Sequence, residues 1–279
     1  MSFKDLLVLV DDSAASAVRL DLAARLAAQN DAHLTGLYAV NDVLLPGYIE
    51  AELPDALRAT RRRNRDEQTA RQAEHFATVM RQHGLTDRSE WLAVDGDPTI
   101  AAAVRGRYAD LIIVGQPDPD RDRDTPVAQP ADLLFEAGRP LLVVPYAGRF
   151  ASVGERVLVG WNGSREAARA IGDALPVLSR AKRVVVMAAN PKTGPHGLGD
   201  EPCADIARHL SRHGCKVEAS HVVTDVVEPG DSLLNMAADE GCDLLVMGAY
   251  GRSRLRELVL GGMTRFILQH MTVPVLMSH

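Results

Sequence analysis

The chain has 279 residues, enough for about two domains of roughly 150 residues each, with 46% hydrophobic and 24% charged residues. A formal net charge of −6 and a pI near 5.8 argue against a general nucleic-acid binder. No apolar run approaches the roughly 18 residues that cross a bilayer, and three cysteines, Cys203, Cys215 and Cys242, do not make a disulfide framework. Met1-Ser-Phe-Lys-Asp5 leads straight into a strand without a signal-peptide pattern, so the expectation is a reduced, cytoplasmic protein without a membrane partner.

In chain order, the first apolar strand covers about 6–10 and ends in the polar turn Asp11-Asp12-Ser13. An alanine-rich helix over about Ala14–Gln29 carries Val18, Leu22, Leu26 and Ala27 at helical spacing. A strand at about 33–39 precedes Leu44-Leu-Pro-Gly-Tyr48, which reads as loop. Arg61-Arg-Arg-Asn-Arg65 then opens a long helix through about Gln82. Asp66 and Glu67 follow at once, so this basic run reads as a solvated helix face and not a polyanion patch. Strands at about 90–94, 110–115 and 140–144 complete this half. A second series follows at about 156–160, 183–188, 216–223, 243–247 and 274–277, with a helix over about Arg165–Ser179 carrying Ala168, Ile171, Leu175 and Leu178.

The two series are copies. Lys4–Ser13 matches Glu155–Ser164, Ala109–Gly115 matches Cys242–Gly248, and Arg139–Val144 matches Val273–Ser278. Runs that are apolar at nearly every position imply strands buried on both faces, as in parallel sheets covered by helices. The fold class is therefore α/β, with two tandem Rossmann-like, doubly wound modules over residues 1–147 and 153–279, each with a five-stranded parallel sheet. Ligands on such sheets bind beyond the carboxyl ends of the strands at the topological switch point. There the Trp161-Asn162-Gly163 turn and the segment after the fourth strand of the second copy should meet.

That segment, 248–264, places Gly248, Gly251 and the pair Gly261-Gly262 after a buried strand and before a helix. Glycines let the backbone approach an anion, and helix-start N–H groups point at it. The spacing resembles the nucleotide loop of the universal stress protein family, G-x2-G-x9-G followed by Ser or Thr, and the repeat pattern extends the resemblance over the whole chain. The resemblance implies a stress-response module binding ATP or a related adenine nucleotide in the second copy. The contact set it implies is Trp161, Asn162, Gly163, Ala188, Met247, Gly248, Tyr250, Gly251, Arg252, Gly261, Gly262, Met263 and Thr264, with Arg254 adding charge nearby. No catalytic residue and no protein metal ligand is assigned. Two positions depart from the family. Gly262 replaces the hydroxyl residue, with Thr264 as its substitute, and Asn162 stands where the family has an aspartate. Each lost charge-assisted bond costs about 1.5–3 kcal/mol, which implies weakened binding. Hard cations prefer carboxylate oxygen, so Mg²⁺ would arrive with the nucleotide and not on Asn162.

The first copy differs. After Gly115 it reads Gln116-Pro-Asp-Pro-Asp-Arg-Asp-Arg-Asp-Thr-Pro126, with Asp118 at the place of Gly251. Pro117 and Pro119 offer no N–H donors, and the aspartates repel phosphate; this half is expected not to bind ATP in the family manner. The family also implies that the modules pair through their last strands, Leu141–Val144 and Val275–Met277, as an internal pseudo-dimer, with a further homodimer and a protein partner of unspecified kind.

Other constellations read as structural. Cys203, His209, His213 and Cys215 lack a C-x2-C pair and read as a helix end with incidental cysteines, zinc being the alternative. Cys242 reads as a small core residue. Ser13 and Ser164 lie outside G-x-S-x-G and read as helix caps, as do Asp97 and Asp231. His33 and His221 read as buried strand histidines. An S-G-G-x-D-S pyrophosphate loop and a G-x-G-x-x-G fingerprint are both absent after the first strands, which disfavours an ATP pyrophosphatase and a Rossmann dehydrogenase. Two alternatives to nucleotide sensing stay open: an interaction scaffold of the same fold that binds no nucleotide, and a slow ATP hydrolase, for which the motif offers no general base.

Overall fold

The computed structural model describes residues 2–40, 54–120, 127–191, 198, 201–223, 228–250 and 262–279. Among these, ten strands form one sheet: β1 (Asp5–Val10), β2 (His33–Val40), β3 (Ser89–Asp95), β4 (Leu111–Gly115), β5 (Leu141–Val144), β6 (Arg156–Gly160), β7 (Arg183–Ala189), β8 (Val217–Val222), β9 (Leu244–Gly248) and β10 (Val275–Ser278). Their order is β3-β2-β1-β4-β5-β10-β9-β6-β7-β8. All neighbours are parallel except β5 and β10, which run antiparallel with Leu142 opposite Leu276. The strands expected from apolar runs agree with these limits to within a residue at each end.

The helices are α1 (Ser16–Asn30), α2 (Asp55–Gln82), α3 (Pro98–Gly106), α4 (Pro130–Glu136), α5 (Arg165–Leu178), α6 (Ala204–Arg212), α7 (Pro229–Asp239) and α8 (Gly262–His270). Successive residues of a strand face opposite sides, so the sheet carries two cores. Leu6, Val8, Val157 and Val159 lie in the core that also holds side chains of α1, α2, α5 and α6. Leu7, Leu9, Leu158 and Leu245 lie in the core shared with α3, α4, α7 and α8. Both cores continue through the seam: Leu142 and Leu276 belong to the first, Val143 and Val275 to the second.

Several local expectations change. Helix α2 starts at Asp55 and not at Arg61; its first turn carries Asp55, paired with Arg58 at 2.6 Å, and little of it is buried before Phe76. Its basic run is solvated as expected, with Arg63 and Arg65 reaching Glu67 and Asp95. On α1, Val18 lies only at the margin while Arg19 is buried. Ala168 of α5 is exposed, and Ala167, Ala170, Ile171 and Ala174 face the core instead. The true stripes are displaced because each helix packs its small residues against the strands, where backbones approach closest. The loop-like segment 44–48 lies outside the described residues.

Two aspartates in matching positions pin the modules at their starts. Asp110, just before β4, accepts the N–H groups of Lys4 (2.7 Å) and Asp5 (3.2 Å). Asp243, just before β9, accepts from Gly154, Glu155 and Arg156 N–H and from Ser152 Oγ at 2.6–3.1 Å. One carboxylate thereby fixes the linker between modules. Hydrogen bonds to charged groups contribute about 1.5–3 kcal/mol each, less where water replaces them. Asp243→Ala should therefore cost about 3 kcal/mol in urea unfolding, and Asp110→Ala about half of that.

Candidate functional site

The switch point of the second module lies where β7, β6 and β9 run side by side. Gly160 at the end of β6 is in register with Met187 on β7 and Met247 on β9. The next residue of each strand, Trp161, Ala188 and Gly248, therefore falls at one level. The Trp161 N–H donates to Met187 O at 2.8 Å and closes the end of β6 against β7. Trp161 is half-buried against the core, while Ala188 and Met247 are buried. Beyond Trp161 the chain turns sharply. Asn162 Oδ1 accepts the Ser164 N–H at 3.0 Å, Gly163 has φ +73°, and Ser164 Oγ caps α5 by accepting the Ala167 N–H at 3.1 Å.

Gly248 is glycine for a steric reason. A Cβ there would lie 2.4 Å from Ala167 N and 2.6 Å from Glu166 C, so the end of β9 touches the first turn of α5. Two residues later, the Tyr250 N–H donates to Thr264 Oγ1 at 3.2 Å, tying the chain to the first turn of α8. Two helix starts thus meet the end of one strand, and helix starts carry unsatisfied N–H groups and partial positive charge. Thr264 is buried and its oxygen accepts from the main chain at this point. Gly262 is exposed, with no heavy atom of the described residues within 4 Å of the place a Cβ would take, and Met263 is half-buried. Gly251, Arg252, Gly261 and Arg254 lie outside the described residues.

Glu166, in the first turn of α5, is 4% exposed and takes the Arg165 guanidinium at Oε1. Burial pushes its carboxyl up, but the bond from Arg165, its own main-chain N–H and Ser164 outweigh this and hold it below the usual range. The only sequence signal was an acid in a first helical turn, too common to single it out.

The first module occupies the same place with its own side chains. A Cβ on Gly115, the counterpart of Gly248, would lie 2.1 Å from Arg19 Nη1. Arg19 has 2% of its side chain exposed; its Nε donates to Leu9 O at 2.7 Å, and Nη2 donates to Asp11 Oδ2 at 2.6 Å. The aligned position in the second module is Ala170. On the other side of the turn, Asp12 accepts from Tyr38 Oη, Gln68 Nε2 and Gln72 Nε2 at 2.6–2.8 Å, so α2 is bonded to the end of β1. The space that remains beside Arg19, Gly115 and Gln116 is a cavity of about 10 Å³, about enough for one water.

The remaining expectations sort as follows. Asp97 caps α3, accepting from Thr99 and Ile100 N–H. Asp231 does not cap α7, which starts after Glu228; it sits in the first turn. Ser13 is not a side-chain cap of α1, since Asp11 accepts its N–H in a turn and the helix starts at Ser16. His221 is exposed and His33 half-buried, because β8 is an edge strand and His33 opens β2. Cys203 Sγ donates to Ser220 O at 3.2 Å, and the rings of His209 and His213 stand 4.8 Å apart. No group of three His, Cys, Asp or Glu side chains is placed to hold a metal among the described residues, and no helix among them is long and apolar enough to cross a membrane.

Fold and site together define a tandem, doubly wound α/β protein whose second switch point is built from helix starts and glycine. A sequence profile of the universal stress protein family matches residues 2–123 and 154–279, and the chain belongs to that family. A universal stress protein of Methanocaldococcus jannaschii is 33% identical over 72 residues, 26% of this chain and 43% of that protein. One from Synechocystis is 28% identical over 142 residues, 50% of this chain and 46% of the other. The matches thus span less than half the length of these relatives. A universal stress protein from Archaeoglobus fulgidus shares the fold with a TM-score of 0.76 at 16% identity, covering 98% of this chain and 95% of the other.

Removing one partner of a buried ion pair costs about 3–5 kcal/mol. Arg19→Met should lower stability by about that amount in urea unfolding, and the Arg19→Met, Asp11→Asn double variant should recover part of the loss. The three thiols are buried, which pushes Cys203 and Cys215 up and Cys242 to about 11. Because the thiolate is the nucleophile, iodoacetamide at pH 8 should leave all three unlabelled in the native protein and label all three after denaturation.

Proposed function

We propose that this universal stress protein binds ATP or a related adenine nucleotide in its second module only, as a sensing or stress-response module without dedicated catalysis. The observation that carries the reading is the meeting of two helix starts, α5 and α8, at the end of β9, where Gly248 admits the close approach. Main-chain N–H groups at helix starts suit a phosphate chain. Trp161, Asn162, Gly163 and Ala188, level with Gly248 at the ends of β6 and β7, would take the nucleoside, with Met247 and Tyr250 flanking. Gly251, Arg252, Gly261, Gly262, Met263 and Thr264 would take the phosphates.

The donors around the site suit Mg²⁺ carried by the nucleotide better than Mg²⁺ held by the protein. Glu166 is the buried carboxylate here, and it is already engaged by Arg165. Asn162 commits its oxygen to the turn. Among the described residues, the buried carboxylate at this site is taken up by Arg165, which favours binding over hydrolysis. In the first module Arg19 and the α2 glutamines take up the corresponding space, so one nucleotide per chain is expected. The two modules act as an internal pseudo-dimer; a further homodimer and a protein partner belong to the same proposal, as does a cytoplasmic setting.

Denaturing the purified protein and identifying released nucleotide by mass spectrometry tests the reading, followed by calorimetry with ATP-Mg²⁺. Absence of heat at millimolar ATP would sink it. A gain-of-function variant sharpens the test. Gly262→Ser places a hydroxyl at the first position of α8, where the family has one and where no described residue lies within 4 Å of the new Cβ. A restored charge-assisted bond of about 1.5–3 kcal/mol should tighten ATP about tenfold or more.

A further inference from the structure

The site of the second module is flanked on both sides by residues of the first. Gln116 follows β4 of the first module and is 5% exposed. Its Nε2 donates to Leu268 O at 2.8 Å and Gln269 O at 3.3 Å, the last-turn carbonyls of α8. Its Oε1 accepts the Tyr146 N–H at 3.3 Å, which fixes the amide orientation. Carbonyls of a last turn lack helical partners and carry partial negative charge. One side chain of the first module thus caps the helix whose opposite end faces the predicted phosphates.

The other flank is held by stacking. Tyr250 precedes the glycine loop and has φ +55°, a left-handed conformation that is a real outlier for a bulky side chain. Its ring packs 4.6 Å from Phe135 of α4, and Phe135 also meets His279 edge-on at 4.7 Å. His279 Nδ1 lies 3.1 Å from Ala249 O. The Tyr250 hydroxyl is buried, with no hydrogen-bond partner among the described residues. A strained backbone persists only where the surroundings over-determine it, and here Phe135 supplies part of those surroundings from across the seam.

We infer that Gln116 and Phe135 of the first module are positioning residues for the phosphate site of the second, so that the two modules form one binding unit. This rests on the nucleotide reading above. It gives the first module a role other than nucleotide binding: it sets the angle of α8 and the path of Tyr250. The aligned position in the second module, Ala249, has no side chain able to return the same bond.

Calorimetry with ATP-Mg²⁺ on the full chain tests this. Gln116→Ala should weaken ATP about tenfold, and Phe135→Leu about threefold. Gln116→Lys, which keeps a donor and puts positive charge at the negative helix end, should restore binding; Gln116→Glu, of equal bulk but wrong charge, should not. A role in packing alone would not sort these two by charge. Arg180→Ala is the control, because Arg180 also makes two hydrogen bonds across the seam, to Gln29 O and Asn30 Oδ1, yet touches neither flank of the loop. Its affinity should match wild type. If Gln116→Ala fails to fold, the Lys and Glu pair decides. Equal affinity of the Lys and Glu variants, or an Arg180→Ala loss as large as that of Gln116→Ala, overturns the inference while the nucleotide reading stands. A wild-type protein silent toward ATP overturns both.

Discussion

Everything in this protein hangs on the antiparallel pairing of β5 with β10. A five-stranded parallel sheet that stops at its last strand exposes a row of unpaired N–H and C=O groups. Here the two last strands satisfy each other, with Val143 opposite Val275 and Leu141 opposite Met277. The result is one sheet of ten strands whose edges are β3 and β8. Because side chains alternate across a strand, the same three paired positions join both cores at once. The pairing also reverses the direction of one module against the other. That reversal is what sets Gln116 against the end of α8 and Phe135 against Tyr250.

Equivalent positions in the two modules meet the same physical problem with different chemistry. The ends of β4 and β9 both need glycine, because something lies where a Cβ would go. At Gly248 it is the backbone of a helix start; at Gly115 it is the guanidinium of Arg19. A buried cation must be compensated, and Leu9 O and Asp11 do so. The same two bonds leave that module's strongest donor largely spent on its own chain. The second module has Ala170 at the aligned position, with no guanidinium to lie there. Duplication followed by filling of one copy explains why one fold repeated twice supports a single candidate site.

Much of this was legible in the residues. Strands buried on both faces announce themselves as unbroken apolar runs, and all ten were placed that way, as was the repeat. The glycine spacing marked one switch point, and the Pro and Asp residues after Gly115 marked the other as different. Pairing of the last strands came from the family resemblance and holds. Helix faces were harder, since alanine-rich helices present several nearly equivalent stripes. Val18 and Ala168 match the helical spacing without lying in the core, while Arg19, on the actual stripe between Ser16 and Leu22, is charged and no apolar spacing marks it.

By itself the sequence determined the class of fold, the two modules, and which module keeps the glycine spacing after its fourth strand. These depend on short-range pattern: period, chain stiffness and the missing Cβ. Only the tertiary structure decided what stands beside each glycine, because that is set by residues far apart in the chain. Asp12 with Gln68 and Gln72, Gln116 with Leu268, and Phe135 with Tyr250 have no local signature. A hydrogen bond or a ring stack depends on where the chain returns, and the seam between β5 and β10 fixes that return.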